Sequence, residues 1–437
     1  TNSVQPALVR RSMIWPRIGF PATGIRLFGW VCVCGLRRLP IPATGIITFM
    51  LAKIYTEAAF ENLFRLNRTV EISCLSDSAA PALYLRAMDQ DGGNRTEIGE
   101  LGEFGLIDRI ASQFQQPHAA VVRGIGDDAA VLQTGADHYL LWSTDTLAEG
   151  IHFDLAYMPL RHLGFKAVAS NVSDICAMNG KATAITIGLG LSNRFSVEAV
   201  DELYSGIRLA CERYGIALVG GDTTASPKGL VIHIGIVGQV APDRIAYRSG
   251  AKPGDILCVS GDLGAAYLGL QILEREKRIF MQHPDMQPDL SKFPYLIERQ
   301  LKPEARVKTV EALEKAGVVP SSMIDISDGL SSEVFHLHRH SGVDFSVFEE
   351  KLPLDQSTYD QALAFNLDPG TCALNGGEDY ELLFTVRQED WEKVADLEGI
   401  TAIGYATEAG MGMHYISKAG NVHPLKALGW QYGNAQD

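Results

Sequence analysis

The sequence predicts an α/β (α+β) fold of two similar-sized lobes behind a poorly structured N-terminal extension. Three observations carry this. Apolar strand-like runs alternate with helical periodicity in both halves of the chain. A Gly/Pro-rich stretch, RSGAKPGD at 248–255, separates the halves. The first 95 residues share neither the periodicity nor the charge of the rest. The expected division is an extension over 1–95, an N-terminal domain over 96–247 and a C-terminal α/β domain over 248–437.

Residues 1–50 contain six arginines, no lysine, no acidic residue, and the string PATGI twice. The apolar run from Leu27 is interrupted by Arg37-Arg38 and Pro40, which argues against a membrane span. An Arg-rich, acid-poor leader fits an organelle transit peptide, a loosely packed extension, or upstream sequence joined by a misplaced start. The chain begins with Thr, and Met88 stands just ahead of the first convincing helix, so the third reading is preferred. Function is expected to begin after about residue 96.

The 437 residues are 46% apolar and 21% charged, the balance of an ordinary globular protein with a sizeable core. Net charge is −14 although the first 95 residues are basic, so the acidic excess lies in the rest. That argues against nucleic acid and anionic membranes as partners. Seven cysteines, scattered and mostly in apolar surroundings, suit a reducing cytoplasm better than a disulfide framework.

The elements follow in order. LGEFGLIDRIASQF (101–114) places Phe104, Ile107, Ile110 and Phe114 on one helical stripe. HYLLWSTDT reads as a strand running into a loop, 159–179 as a helix, ATAITIGLGL (182–191) as a strand and 196–214 as a helix. GIALVGGDTT (215–224) reads as a short strand ending in a glycine turn, and LVIHIGIVGQV (230–240) as a strand. Beyond the boundary, ILCVSGDLG (256–264) predicts a strand and turn, with a helix from about 265 to 277. Residues 323–342 predict strand, turn and helix, and EDYELLFTV (378–386) a strand.

The chemistry is carried by carboxylates at the exits of apolar strands or in glycine turns: Asp127 and Asp128 in GIGDD, Asp145 in STDT, Asp222 in GGDTT, and Asp325 and Asp328 in IDISDG. Asp174 in NVSDIC differs, lying on a helix face with Asn171 and Met178. Any one of these aspartates is ordinary as a cap or turn residue. Together, and beside small hydroxyls such as Ser143, Thr144, Thr223, Thr224 and Ser327, they suggest a site. Converging carboxylates repel strongly in a partly dry site, so cations must hold them. Oxygen ligands without paired His or Cys point to Mg²⁺ or Mn²⁺, most often a handle for phosphate. There is no GxxxxGK[ST] loop and no protein-kinase motif set, so any ATP site is of another kind. His336 and His340 stand four apart, but with no third ligand apparent they read as a solvated helix face.

The strings GEFGLIDRI, GIGDDAAVL, STDTLAEGIHF, NVSDICAMN, GGDTT, RSGAKPGD, IDISDGL and NGGEDYELLF stand in the order and spacing of thiamine-monophosphate kinase. About residues 100–432 resemble that family, which belongs to the aminoimidazole ribonucleotide synthetase-like ATP-binding superfamily. The resemblance implies the two-lobed fold of that superfamily with an N-terminal ATP- and metal-binding lobe. It implies a homodimer that uses ATP to phosphorylate thiamine monophosphate to thiamine diphosphate with several Mg²⁺ ions. By motif match, Asp128, Ser143, Thr144, Asp145, Asp174, Asp222, Asp325 and Asp328 would bind Mg²⁺. Gly221, Asp222, Arg248 and Ser327 would contact ATP, and His152, Glu378 and an aromatic, Trp430, the substrate. No covalent nucleophile is implied. The family has no extension like 1–95, and its aromatic-x-His-Phe tail is replaced here by GWQYGNAQD. Alternatives are a sibling of the superfamily such as selenophosphate synthetase or a hydrogenase-maturation factor, a haloacid-dehalogenase-type phosphatase, and a nucleotide-sensing module without turnover. The siblings need a reactive Cys and the phosphatase a DxDx[TV] motif, and this chain displays neither.

Overall fold

A computed structural model describes residues 98–114 and 118–427, and these form one compact unit. Trp430 and the readings of residues 1–95 lie outside the described residues. Helix α1 (Ile98–Ala111) leads into a six-stranded sheet. Its strands are β1 (Val121–Arg123), β2 (Ala130–Gln133), β3 (Tyr139–Ala148), β4 (Lys181–Leu191), β5 (Ala217–Ala225) and β6 (Val231–Val240), in the order β1-β2-β3-β6-β4-β5. Helices α2 (Leu160–Ala177) and α3 (Val197–Tyr214) connect them. A second, seven-stranded sheet is built from β7 (Ile256–Ser260), β8 (Ser322–Asp325), β9 (Asp344–Phe348), β10 (Leu382–Val386), β11 (Ile400–Thr407), β12 (His414–Ile416) and β13 (Val422–Pro424), in the order β13-β12-β9-β11-β7-β10-β8. Around it run α4 (Ala265–Gln282), α5 (Pro294–Leu301), α6 (Val307–Lys315) and α7 (Leu330–Ser341), then α8 (Gln356–Ala364), α9 (Pro369–Asn375) and α10 (Trp391–Val394). Among the described strands only the β4–β5 and β9–β12 pairs are parallel, so the layering is α+β. No helix among the described residues is long and apolar enough to cross a membrane.

Period-two alternation decides which residues reach the core. Along β3 the odd positions Leu141, Ser143, Asp145 and Leu147 face inward, and Trp142, Thr144 and Thr146 face outward. Strands β7, β8 and β10 of the second sheet are buried on both faces. Cys258, Met323, Leu382 and Phe384 join the core that also holds the first sheet, while Leu257, Val259, Ile324 and Leu383 pack under α7. Continuous apolar runs such as ILCVS follow from burial on two sides.

Helix α2 sits between the two sheets, touching β3, β4 and β6 on one side and β8, α5 and α6 on the other. Of the fourteen positions from Leu163 to Cys176 all are buried except Asp174, which is only slightly more open. Small residues make this possible. Gly164 and Gly206 are reciprocal contact points of α2 and α3: a Cβ built at Gly164 would overlap the Leu203 carbonyl oxygen, and one at Gly206 the Arg161 carbonyl oxygen. Ser196 caps α3 by accepting from the Ala199 N–H, and Gly215 ends it at φ 66°.

Four expectations are corrected. β3 does not give way to a loop at STDT but continues to Ala148, because it pairs along its whole length with β6. β5 likewise runs through GGDTT to Ala225, held by β4. Strand β10 begins at Leu382 rather than 378, because Glu378 (φ 65°) and Tyr380 (φ 50°) occupy the left-handed region. Helix α1 ends at Ala111, short of Phe114; Ile107 and Ile110 on it are exposed, as is Phe114 beyond it, and Gly102 (φ 65°) kinks the helix.

Gly206→Ala tests the helix contact. Ala alone favours a helix by about 1 kcal/mol over Gly, so a gain is expected unless the close approach governs. We expect a loss of about 3 kcal/mol from overpacking, read by denaturant unfolding. A neutral or stabilising result would show that α2 and α3 are free to move apart.

Candidate active site

The carboxylates gather where α2 meets both sheets. Asp145 comes from the inner face of β3, Asp174 from α2, Asp325 from the end of β8, and Asp128 from the turn before β2. Burial first, and then Asp145, Asp325 and Asp128, hold the Asp174 carboxyl well above the usual carboxylate range, against the Ser143 hydroxyl. Asp325 is pushed up to about 7 by burial and then by Asp128. Burial also raises Asp145, opposed by His152 and His233. Two hydroxyls aim these groups: Ser143 Oγ donates to Asp174 Oδ2 at 2.7 Å, and Ser173 Oγ to Asp325 Oδ2 at 2.6 Å.

The aspartate pair of GIGDD divides its duties. Asp128, 7% exposed, takes a two-pronged contact from Arg248, with Nη2 at 2.7 Å and Nε at 3.2 Å. Asp127 Oδ1 accepts the Arg248 main-chain N–H at 3.1 Å and so fixes the backbone of the same arginine. Burial, followed by Asp128, raises the Asp127 carboxyl to about 6.

Two loops press together beside this cluster. Glu378 N–H donates to the Ser327 carbonyl at 2.7 Å, and Tyr380 N–H to that of Ile326 at 2.8 Å. Gly377 is needed for the approach, since a Cβ there would lie 2.5 Å from the Ser327 carbonyl oxygen. Glu378 therefore sits on the turn that carries Ser327 and Asp328. Its carboxylate is held by Lys166 Nζ at 2.8 Å and Gln300 Nε2 at 2.6 Å. Glu333, buried on α7, accepts the Asp328 N–H at 3.1 Å and braces the same turn. His152 is exposed, and its Nδ1 accepts from the Ala148 N–H at 3.1 Å.

Two of the sequence-derived ligands are placed differently from the rest. The Thr144 side chain lies on the outer face of β3, where its hydroxyl bonds the Ile234 carbonyl at 2.9 Å and His233 Nε2 at 3.1 Å. Alternation along the strand puts it opposite Ser143 and Asp145, so only its main chain is available to the inner cluster. Asp222 is exposed on the edge strand β5. Gly221 before it lies flat against the Ile187 carbonyl of β4, with no room for a Cβ.

Among the described residues no three His, Cys, Asp or Glu side chains close on one point as a ready-made metal cage. Mg²⁺ does not require one, because it keeps waters and is usually shared between one or two carboxylates and substrate phosphates. The donor set here is all oxygen, and it is charged beyond what Arg248 alone offsets. It fits a hard divalent ion. His336 and His340 stand with ring centroids 6.5 Å apart, and burial lowers the first to about 4.

Residues 126–240 match the family model described as AIR synthase related protein, N-terminal domain. The thiamine-monophosphate kinase of Aquifex aeolicus (strain VF5) is 37% identical over 335 residues, 77% of this chain and 99% of that protein. This chain belongs to the thiamine-monophosphate kinase family. The family's protein from Bacillus subtilis (strain 168) is 32% identical over 70% of this chain and 92% of its own length. A solved structure of AaThiL complexed with AMPPCP and TMP is 34% identical, covers 78% of this chain and 100% of that one, and superposes with a TM-score of 0.67. The two-lobed AIR synthase-like fold and the family expected from the sequence both hold.

Sequence reasoning missed Lys166, Gln300, Ser173 and Glu333. One signal was visible: Lys166 is the single charge in the otherwise apolar and small run GFKAVAS.

The pile of carboxylates has a consequence for stability. Asp325 binds its proton more tightly folded, near 7, than unfolded, near 3.8. Its contribution is therefore full in acid and is lost as pH rises through 7. We expect chelator-treated protein to melt at progressively lower temperature as pH rises from about 4 to about 7, and Asp325→Asn to make that slope shallower. Equal slopes would show that this carboxyl carries no such burden.

Proposed function

We propose that this chain transfers the γ-phosphoryl group of ATP to the phosphate of thiamine monophosphate, giving thiamine diphosphate. The observation that carries the reading is family membership joined to the gathering of Asp128, Asp145, Asp174 and Asp325 from four separate elements around α2. The relatives are named for this activity. A phosphate monoester has a second pKa of about 6, so the acceptor oxygen is already an anionic nucleophile at neutral pH. It attacks the γ-phosphorus, and the bond from that phosphorus to the bridging oxygen breaks, leaving ADP. No Ser, Cys or His nucleophile is called for. The task is to bring two polyanions into line.

Asp128, Asp145, Asp174, Asp222, Asp325 and Asp328, with Ser143 and the Thr144 main chain, would hold Mg²⁺. When bound, Mg²⁺ neutralises charge on the polyphosphate. Ser143 and Ser173 keep two of these carboxylates in fixed rotamers, which supports preorganisation. Arg248 presents a planar fork of donors suited to phosphate, and we assign it to ATP with Gly221, Asp222 and Ser327. His152, Glu378 and Trp430 are assigned to the substrate. Among the described residues Cys176, Cys211, Cys258 and Cys372 are free thiols, which supports a cytoplasmic setting.

ATP consumption that depends on thiamine monophosphate, with thiamine diphosphate as product, tests the reading. ATP binding without such turnover would favour a nucleotide-sensing module instead. Asp174→Asn keeps the size and one oxygen of a ligand on a rigid helix but removes its charge. Turnover at saturating Mg²⁺ should fall about 10²–10³-fold in a protein that still melts cooperatively. A fall of less than about tenfold would remove Asp174 from the centre of the site.

We also propose a homodimer formed through the outer face of the first sheet. Strand β5 is exposed along its whole length, and Trp142, Leu218 and Val219 lie open at 55%, 43% and 64%. Leu218 and Val219 on the open edge strand, with Trp142 on the outer face of β3, favour covering by a second copy. Light scattering should give twice the chain mass for the parent and the single mass for Val219→Asp. A monomeric parent would sink this assignment.

A further inference from the structure

Lys166 has no exposed surface, and its helix neighbours Phe165, Ala167 and Val168 are buried with it. A lysine in such a place needs partners. Its Nζ lies 2.8 Å from Glu378 Oε1 and donates to the Gln300 carbonyl at 3.2 Å. Gln300 Nε2 completes the grip by donating to Glu378 Oε2 at 2.6 Å. Both oxygens of one carboxylate are thus held from two different helices, α2 and α5, neither of which adjoins its own loop. Each oxygen keeps a further lone pair for an outside contact.

The pair is asymmetric. The lysine side chain is 0% exposed and that of Glu378 is 28% exposed, so the pair meets solvent through the carboxylate alone. Stability would be served as well by a well-packed apolar residue at 166, since buried ion pairs rarely improve on one. What the lysine adds is direction. It holds Glu378 in one rotamer on a backbone already committed to φ 65° and tied to the Ser327 carbonyl. Lys166 also lies on the same buried helix as Asp174, eight residues earlier, roughly 12 Å along the axis. One rigid element therefore fixes both the central carboxylate of the acidic cluster and the group that orients Glu378.

We propose that Lys166 is a positioning residue for substrate selection: with Gln300 it presents the Glu378 carboxylate to the cationic heteroaromatic part of the acceptor, at a distance from the acidic cluster set by α2. This rests on Glu378 being the substrate contact assigned above. Lys166 touches neither substrate nor the phosphoryl group.

The test is a double-mutant cycle read in Michaelis constants. Parent, Lys166→Met, Glu378→Gln and the double variant are compared for KM of thiamine monophosphate, KM of ATP and kcat. We expect each single variant to raise KM for thiamine monophosphate about tenfold, with KM for ATP and kcat changed less than about threefold, and the double variant to be no worse than the worse single one. Effects that multiply in the double variant, or a rise in both Michaelis constants together, would make Lys166 merely structural and overturn the proposal. Glu378→Gln without effect overturns the substrate reading of Glu378 and the proposal with it. Glu378→Gln with its effect but Lys166→Met without one overturns the proposal alone. If Lys166→Met fails to fold, Gln300→Leu and its double with Glu378→Gln run the same cycle from the other helix, with the same outcomes expected and the same ones fatal.

Discussion

The structure depends on one constraint: α2 is buried between two sheets and still carries charged groups into the interior. An aspartate and a lysine on the same packed helix must each be answered by something across a short gap. Much of the polar architecture is that answer. Ser143 reaches Asp174 from the first sheet, and Glu378 and the Gln300 carbonyl reach Lys166 from the other side. Ser173, between them on the helix, extends to Asp325 at the end of β8. The glycine contact with α3 lets the helix sit deep enough for all these distances to close.

The same bonds join the two halves of the molecule. Ser173 to Asp325, Arg248 to Asp128 and Lys166 to Glu378 each link residues on opposite sides of the RSGAKPGD segment or at its start. The apolar core that spans both sheets supplies adhesion, but it is non-directional. The directional bonds set which carboxylates face one another. Glu378 is bonded to the Ser327 turn through its main chain and to α2 through its side chain, so that turn and the helix share one scaffold.

Much of this was legible in the sequence, and the failures have a common cause. Helix α3 was placed within two residues because its periodicity and its Ser196 and Gly215 caps are local, and α2 because a long run of small and apolar residues without proline or a turn signal favours a buried helix. Asp128, Asp145, Asp174 and Asp325 were found because carboxylates beside glycines and small hydroxyls are conspicuous. The strand ends were misjudged at STDT and GGDTT because only pairing with β6 and β4, partners far along the chain, keeps those residues extended. The turn chemistry of Asp and Gly would otherwise have ended them. The face taken by Thr144 followed from that error, since alternation has meaning only inside a strand. Lys166 escaped notice because its partner lies in the other half of the chain and no local rule links them. The left-handed backbone at Glu378 is equally silent in sequence, since a non-glycine there is held by its surroundings.

Strand β5 carries a further implication for how the chain survives its own synthesis. Its sequence, ALVGGDTTA, holds no lysine and no proline, the residues that most often stop a stray strand from adding to an open edge. Asp222 is its only charge. In the interval before any neighbour covers that edge, this one carboxylate is the repulsive element against pairing with the wrong chain. Asp222 thus acts as a gatekeeper of solubility from the moment β5 docks on β4, independently of anything it binds later.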